Sequence, residues 1–405
     1  MQAQLFNKLE KLYPEMVDIR RDLHMNPELS FHEVITPKKV AEFLTNLGLE
    51  VKIGVGGRGV TGFLQGGKPG KTVALRADFD ALPIQDEKDV EYKSKVPGVM
   101  HACGHDIHTA ALLGVAKVLS DVRDEIEGNV VFIHQFAEEV IPGGAKSMIE
   151  DGCLDGVDVI YGAHVSSMHP FGMIGIKEGY VAACGDTFEI DIQGKGGHGA
   201  TPHLTIDPIV TGSQIVMNLQ QLVSRRVDPI KTAVVTVGAF NSGSGFNVIP
   251  DKAKIIGTVR TFDEDVRDMI EEQMRQIVES TCKGAGAVAN FKYTRGYPAV
   301  WNHPEETKRI EKLSTSLFGE NNVQHTEAMM GMEDFAYYVK EVPGTFIWVG
   351  GANPDINATY PHHHPKFDVD ERAMIHIGKL FISAVFDFLS EHSSTPTSSF
   401  VMQEN

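Results

Sequence analysis

Two hydrophobic rhythms run through this sequence, and they change over near Ala183. Ahead of that point, short apolar runs (EVKIGV, GVTGFLQ, TVALRADFD, NVVFIHQFAEE, DVIYGAHV) alternate with stretches of helical period. Leu5, Leu9, Leu12, Met16, Ile19 and Leu23 form one helical stripe, which Pro14 either splits or restarts as a second helix. A second helix is expected from about Pro37 to Leu47, stopped by Gly48, and a third over HTAALLGVAKVLSD. Buried strands separated by helices belong in a mostly parallel sheet with helices on both faces. Past Ala183, TFEIDIQGKG alternates with period two, as a half-exposed antiparallel strand does. A helix (IVTGSQIVMNLQQLVSRR), two strands (TAVVTVGAF, KAKIIGTVRTF), a second helix (VRDMIEEQMRQIVESTCKGAG) and a last strand (AVANFKYTRGYP) follow. The order β-α-β-β-α-β is that of a ferredoxin-like unit. The first rhythm then resumes with ETKRIEKLSTSLFG, TFIWVGGA and a helix from about Glu371 to Leu389. The expected fold is therefore α/β, a larger domain (1–182 and 297–392) with an inserted ferredoxin-like α+β domain (183–296) and a polar, flexible tail (393–405).

Composition narrows the function. With 405 residues, 42% hydrophobic and 22% charged, the chain is neither collagen-like, low-complexity nor disordered. Its formal charge of −17 argues against nucleic acid and anionic membranes as partners, since both are recognised by basic patches. Four cysteines (Cys103, Cys153, Cys184, Cys282) in a chain of this length are no disulfide scaffold, and a reducing, cytoplasmic setting is the simplest reading. The opening MQAQLFNKLEKLYPEM has no apolar signal core, and no run of about 18 apolar residues suggests a membrane span.

The chemistry-bearing residues collect at strand ends. TVALRADFD ends in Asp78 and Asp80, NVVFIHQFAEE in Glu138 and Glu139, and DVIYGAHV near His164. Ligands in open α/β sheets bind beyond the carboxyl ends of strands, so these endings are expected to line one polar cleft. The densest constellation is His101-Ala-Cys103-Gly-His105-Asp106-Ile-His108, in which Gly104 lets a turn aim Cys103 and His105 at one point. Thiolate, imidazole and carboxylate are ligand types of zinc-like ions; the plainer alternatives are a surface loop with chance histidines or a helix N-terminus capped by Asp106. Of the adjacent Glu138 and Glu139, one can face a metal and the other a water, because neighbouring side chains point apart. His164 alone reads as a core histidine, whereas His362-His363-His364-Pro365 has no ready structural explanation. In the inserted domain, the glycine-rich run from Gly194 to His203 carries His198 but lacks phosphate-loop spacing. Asn247 and Arg260 are either ordinary surface residues or substrate contacts, Arg260 as a fork for a carboxylate.

Taken together, HACGHD, FAEE, GAHV, GGHGATPH, NVIPD, GMEDFAYY and HHHPKF resemble the zinc-type aminoacylase and hippurate-hydrolase family of amidohydrolases. That family includes bacterial N-acyl-amino-acid amidohydrolases and plant hydrolases of indole-acetyl amino acid conjugates. The resemblance runs collinearly from about His24 to Leu389. It implies a catalytic α/β domain holding two divalent metal ions and an inserted lid that often mediates dimerisation, hence a homodimer or higher homo-oligomer. It implies Cys103, in the bridging position, with His105, Glu139, His164 and His363 as ligands. Glu138 corresponds to the general base, and His198 to a lid histidine that assists the developing oxyanion, in some members from the partner subunit. Asn247 and Arg260 correspond to lid residues that contact substrate. Di-zinc peptidase branches carry His-x-Asp where this chain has Asp78-Phe79-Asp80, so His105 is expected to replace the missing histidine. Cys103 likewise stands where those branches bridge with an aspartate, which leaves zinc, manganese, cobalt and nickel open.

The implied activity is hydrolysis of small N-acyl amino acids, acetyl- or benzoyl-like, to a carboxylate and a free amino acid. The alternatives are a dipeptidase or carboxypeptidase of the same fold, and a non-catalytic metal-containing binding protein. Against the last stands the presence of Glu138 and all five implied ligands.

Overall fold

The computed structural model describes residues 2–392 and divides into two compact units. The larger comprises the chain up to Gly179, Trp301–Glu327 and the chain from Tyr337; the smaller comprises Tyr180–Val300 and Ala328–Ala336. The expected tail, 393–405, lies outside the described residues.

The amino-terminal stripe forms two helices, Gln2–Lys11 and Tyr13–Met25. Pro14 sits in the first turn of the second, where its missing N–H has no helical partner to lose. Thr36–Asn46 follows, with Pro37 in its first turn and Gly48 just beyond its end at φ +74°.

The larger unit is built on an eight-stranded sheet. From one edge its strands run Glu50–Val55, Gly59–Gln65, Glu127–Gln135, Lys68–Asp78, Val159–Pro170, Gly344–Ala352, Ile174–Ile176 and Val323–His325. Lys68–Asp78 pairs in parallel with Glu127–Gln135 and with Val159–Pro170, which in turn pairs in parallel with Gly344–Ala352. The short strands Ile174–Ile176 and Val323–His325 are also parallel. The expectation of a mostly parallel sheet needs correcting to a mixed one, because Glu50–Val55/Gly59–Gln65, Gly59–Gln65/Glu127–Gln135 and Gly344–Ala352/Ile174–Ile176 are antiparallel. The tight Gly56-Gly57-Arg58 turn explains the first of these, since so short a connection can only reverse the chain. Helices His105–Ser120 and Ala373–Glu391 pack their apolar residues into one core with Val73, Leu75, Val130, Phe132 and Tyr161. By length and composition Ala373–Glu391 could cross a membrane, which qualifies the sequence expectation. It is, however, mostly buried in this core.

The smaller unit holds a four-stranded antiparallel sheet in the order Ala233–Ser242, Lys252–Thr261, Cys184–Gln193, Val288–Arg295. Helices Pro208–Gln221 and Glu264–Ala285 supply Ile215, Leu219, Ile270 and Met274 to a core with Phe188, Ile190, Ile192 and Ile255. Asp207 and Asp263 cap the helices by accepting first-turn N–H groups. Buried Asp186 ties the unit together, accepting from the Arg267 guanidinium, the Tyr293 hydroxyl at 2.7 Å and the Gly296 N–H at 3.0 Å.

Candidate metal centre

Three adjacent parallel strands bring their chemistry to one level. Asp78 pairs with Gln135, and the pairing of the 68–78 and 159–170 strands ends at Arg76–Gly162, two residues before His164. His164 thus lies within a strand that continues to Pro170, where the sequence suggested a strand end. The strand over 127–135 ends before the paired glutamates, which sit on the turn that follows it. That turn passes through Ala137 at φ +51° and is held by two carboxylates. Glu33 accepts the Ala137 N–H at 2.9 Å, and Asp80 accepts the Glu139 N–H at 3.0 Å. Opposite, Gly104 caps helix His105–Ser120 at φ +96°, where a Cβ would meet Val165 Cγ1 at 2.4 Å. His363, at φ +64°, is anchored by its N–H to the Ala102 carbonyl at 2.8 Å.

The side chains converge on Cys103. Its Sγ lies 3.4 Å from His164 Nε2 and 3.6 Å from His362 Nδ1. Donor atoms of Cys103, His164 and His362 fall within 4.8 Å of one another, as do those of Cys103, His105 and Glu139, so the sulfur belongs to two donor sets. Glu139 Oε1 lies 3.8 Å from His105 Nε2 and 3.3 Å from His363 Nε2. The structure therefore gathers all five residues that the resemblance implies as ligands, and brings His362, which the sequence reading passed over, to the same sulfur. A third set, Asp78, His105 and His108, lies behind it.

Neighbours decide which ring nitrogens face the cluster. His164 Nδ1 lies 2.7 Å from the Val165 carbonyl, which can only accept, so Nδ1 carries the proton and Nε2 is left bare toward Cys103. His105 Nδ1 donates to Asp80 at 3.0 Å, leaving Nε2 toward Glu139. This is the arrangement in which a carboxylate or carbonyl orients a metal-binding imidazole. His105 Nε2 and Glu139 Oε1 are buried without a hydrogen-bond partner, and a cation would satisfy both. With thiolate, imidazole and carboxylate donors present, the residues fit a divalent metal centre.

The local field agrees. Burial works against charge on His105, but Asp78, Asp80 and Glu139 outweigh it and push the imidazole up to about 10. A field that holds a proton there also favours a metal cation. Burial, reinforced by Glu139, Glu138 and Asp78, pushes the Cys103 thiol well up, so ionising it calls for a compensating cation. Burial, with His108 and His362 nearby, holds the His164 imidazole well below the usual range and hence neutral. Glu138 is buried beside the cluster, with 7% of its surface exposed.

The remaining implied residues lie in the smaller unit. His198 and Asn247 come together: Val248 pairs with His198 in a two-stranded ribbon, and Asn247 accepts the Gly199 N–H at 2.8 Å. His198 is exposed, and its Nδ1 accepts the Ala200 N–H at 3.0 Å, which leaves Nε2–H as a free-facing donor. Arg260 is elsewhere. It pairs with Gly185 at the far end of the strand that begins at Lys252, about 26 Å along at the usual strand rise. Within one chain's smaller unit the structure does not bring Arg260 to His198 and Asn247. Glu33, His362 and the orienting role of Asp80 escaped the sequence reading. Asp80 carried a signal as an acidic strand ending and His362 as part of the triple-histidine run; Glu33 carried none.

Sulfur, nitrogen and oxygen donors around a shared cysteine, beside a second buried carboxylate, make a candidate metal centre. Residues 74–385 match peptidase family M20/M25/M40, and the chain belongs to that family. It is 51% identical over 388 residues to YhaA of Bacillus subtilis (strain 168), named as an amidohydrolase, covering 96% of this chain and 98% of that one. It is 47% identical to the N-acyl-L-amino acid amidohydrolase of Geobacillus stearothermophilus (74% and 81% covered). It is 44% identical to thermostable carboxypeptidase 2 of Saccharolobus solfataricus (91% and 94%). Among solved structures, Bacillus subtilis YXEP, described as a dinuclear metal-binding peptidase of family M20, superposes with a TM-score of 0.81 at 38% identity, covering 94% and 99%.

Proposed function

We propose that this protein is a metal-dependent amidohydrolase that cleaves N-acyl amino acids to a carboxylate and a free amino acid. The observation that carries the reading is Cys103, whose sulfur groups with His105 and Glu139 in one set and lies 3.4 Å from the bare Nε2 of His164, with His362 beside it. In this reading Cys103, His105, Glu139, His164 and His363 hold two divalent ions, with zinc, manganese, cobalt and nickel all compatible. Bound there, the ions would lower the pKa of an attacking water toward ~7 and polarise the acyl oxygen.

The chain's own residues supply the rest. Glu138 takes the proton of the attacking water and hands it to the leaving nitrogen. Asp80 keeps His105 in one tautomer, and the clamp of Asp80 and Glu33 fixes the turn that presents Glu138. His198 Nε2–H donates to the developing oxyanion, a donor typically worth ~3 kcal/mol. Asn247 and Arg260 bind the substrate, Arg260 at its free carboxylate.

The distance between Arg260 and the His198 ribbon bears on assembly. The strand rise of about 26 Å from Lys252 to Arg260, against a ribbon that sits at the Lys252 end, supports a homodimer whose sites each combine Arg260 of one subunit with the lid ribbon of the other. The edge position of Ala233–Ser242 and the exposure of Val234, Phe240, Val210 and Met217 support a lid-mediated contact. Four unpaired, buried cysteines support a reducing, cytoplasmic setting.

The test is metal analysis coupled to a panel of N-acetyl and N-benzoyl amino acids and dipeptides, run on the wild type and Glu138→Gln. The glutamine variant should keep its metal and lose ~10²–10⁴-fold in turnover. Near-normal turnover would remove Glu138 from its role. Preference for dipeptides would move the assignment to the carboxypeptidase reading, and no turnover on any member would favour a binding protein.

A further inference from the structure

The His362-His363-His364 run sends two imidazoles inward by different routes, and only His363 lies beside Glu139. His362 instead faces the sulfur, with Nδ1 3.6 Å from Cys103 Sγ. Its other nitrogen is committed, since the Ser167 backbone N–H donates to Nε2 at 3.3 Å. A backbone N–H can donate only to a ring nitrogen that carries a lone pair. Nε2 is therefore bare, and in the neutral ring the proton must sit on Nδ1, 3.6 Å from the sulfur and facing the Cys103 backbone as well. The ring has little freedom to turn away, being packed 4.9 Å from Phe367 and 5.2 Å from the His164 ring, centroid to centroid. His164 presents the opposite polarity to the same atom, with its bare Nε2 3.4 Å from Sγ.

We propose that His362 is a positioning residue for the metal centre: its Nδ1–H donates a hydrogen bond to the Cys103 sulfur and so orients and weakens that sulfur as a ligand, without itself binding metal. The inference rests on Cys103 being a ligand, as proposed above. The Cys103 sulfur is approached by the bare Nε2 of His164 at 3.4 Å and by His362 Nδ1 at 3.6 Å. A donor on its free side withdraws electron density, so the sulfur gives less to the cations, which stay stronger Lewis acids. It also fixes the Cβ–Sγ rotamer, so that one sulfur can face both donor sets.

The experiment is cobalt(II) substitution of the full-length wild type, Cys103→Ser, His362→Leu and His362→Asn, read by metal stoichiometry and by the ultraviolet sulfur-to-cobalt charge-transfer band. Leucine removes the N–H while filling much of the space. Asparagine returns an N–H near the position of Nδ1. The wild type should show the band and Cys103→Ser should lose it. His362→Leu should bind as much cobalt as the wild type with the band displaced to longer wavelength, and His362→Asn should return it toward the wild-type position. Loss of bound cobalt in folded His362→Leu, judged by circular dichroism, would make His362 a ligand and overturn the proposal. An unmoved band would overturn it too, and if leucine prevents folding, a wild-type-like band in His362→Asn decides for the donor and a displaced one against it. Absence of the band from the wild type would instead defeat the assignment of Cys103 as a ligand, a failure the other outcomes do not mimic.

Discussion

Glu33 offers the sharpest test of how the turn carrying Glu138 and Glu139 is held. Its side chain is buried, with Oε1 on the Ala137 N–H and Oε2 4.0 Å from Arg58 Nε. Burial, with Asp80 adding repulsion, raises its carboxyl from 4.5 to about 8. A carboxyl whose folded pKa lies above its unfolded value favours the folded state when protonated. That contribution is complete below pH 4.5 and is lost as pH rises, at about 1.4 kcal/mol per pH unit, until the folded value near 8 is passed. Glu33→Gln keeps an oxygen for the Ala137 N–H and cannot ionise. The stability of the variant relative to wild type should therefore climb by about 3 kcal/mol between pH 5.5 and 7.5. Urea denaturation followed by tryptophan fluorescence is the assay, because both tryptophans, Trp301 and Trp348, belong to the larger unit that contains Glu33. A difference between the two proteins that stays flat across this range would refute the buried, proton-holding role of Glu33.

Two further outcomes follow from the same geometry. Asp80 accepts from His105 Nδ1 and, on its other oxygen, from the Glu139 N–H and the Ser30 hydroxyl. Asp80→Asn sets an amide donor against one of these donors and should weaken metal binding about 10–100-fold in chelator competition; unchanged affinity would detach Asp80 from the centre. In the smaller unit, Asp186→Ala strands the largely buried Arg267 guanidinium and should destabilise that unit by about 3–5 kcal/mol. Hydrogen exchange should register this in the 184–193 and 288–295 strands while the core of the larger unit keeps its protection; equal loss in both units would contradict it.

Much of this architecture could be read from periodicity. The strands around Val73, Val130 and Ile160 are short apolar runs, and those around Ile190 and Ile255 alternate, so burial on two faces or one is written in the residues themselves. Pairing order was not written there. Gly59–Gln65 lies beside Glu127–Gln135 instead of its sequence neighbour Lys68–Asp78, a choice made by the whole sheet. Ala328–Ala336 has no periodic pattern, yet it joins the smaller unit, where the Met329 carbonyl accepts the Ala183 N–H at 3.0 Å. The donor residues stood out because cysteine, histidine and paired glutamates are costly to bury without a partner. Glu33 did not, because it acts on Ala137 across 104 residues from an irregular segment without pattern.

What no pattern reveals is which nitrogen of an imidazole carries the proton, and here the backbone of one residue settles two of them. The Val165 N–H donates to His108 Nε2 at 2.9 Å, which forces the His108 proton onto Nδ1, 2.6 Å from Asp78. The carbonyl of the same residue takes the His164 Nδ1 proton and so turns the bare Nε2 toward Cys103. Asp78, the position where related di-zinc branches carry a histidine, thus contributes from behind. Its carboxylate is kept ionised despite burial, chiefly by Arg76 and then by His105 and His108. An ionised Asp78 holds His108, His108 holds the Val165 N–H, and the carbonyl of the same residue orients His164. On the proposed reading, an aspartate at this strand end supports the centre from behind instead of ligating it, and His105 supplies the donor from the facing helix terminus.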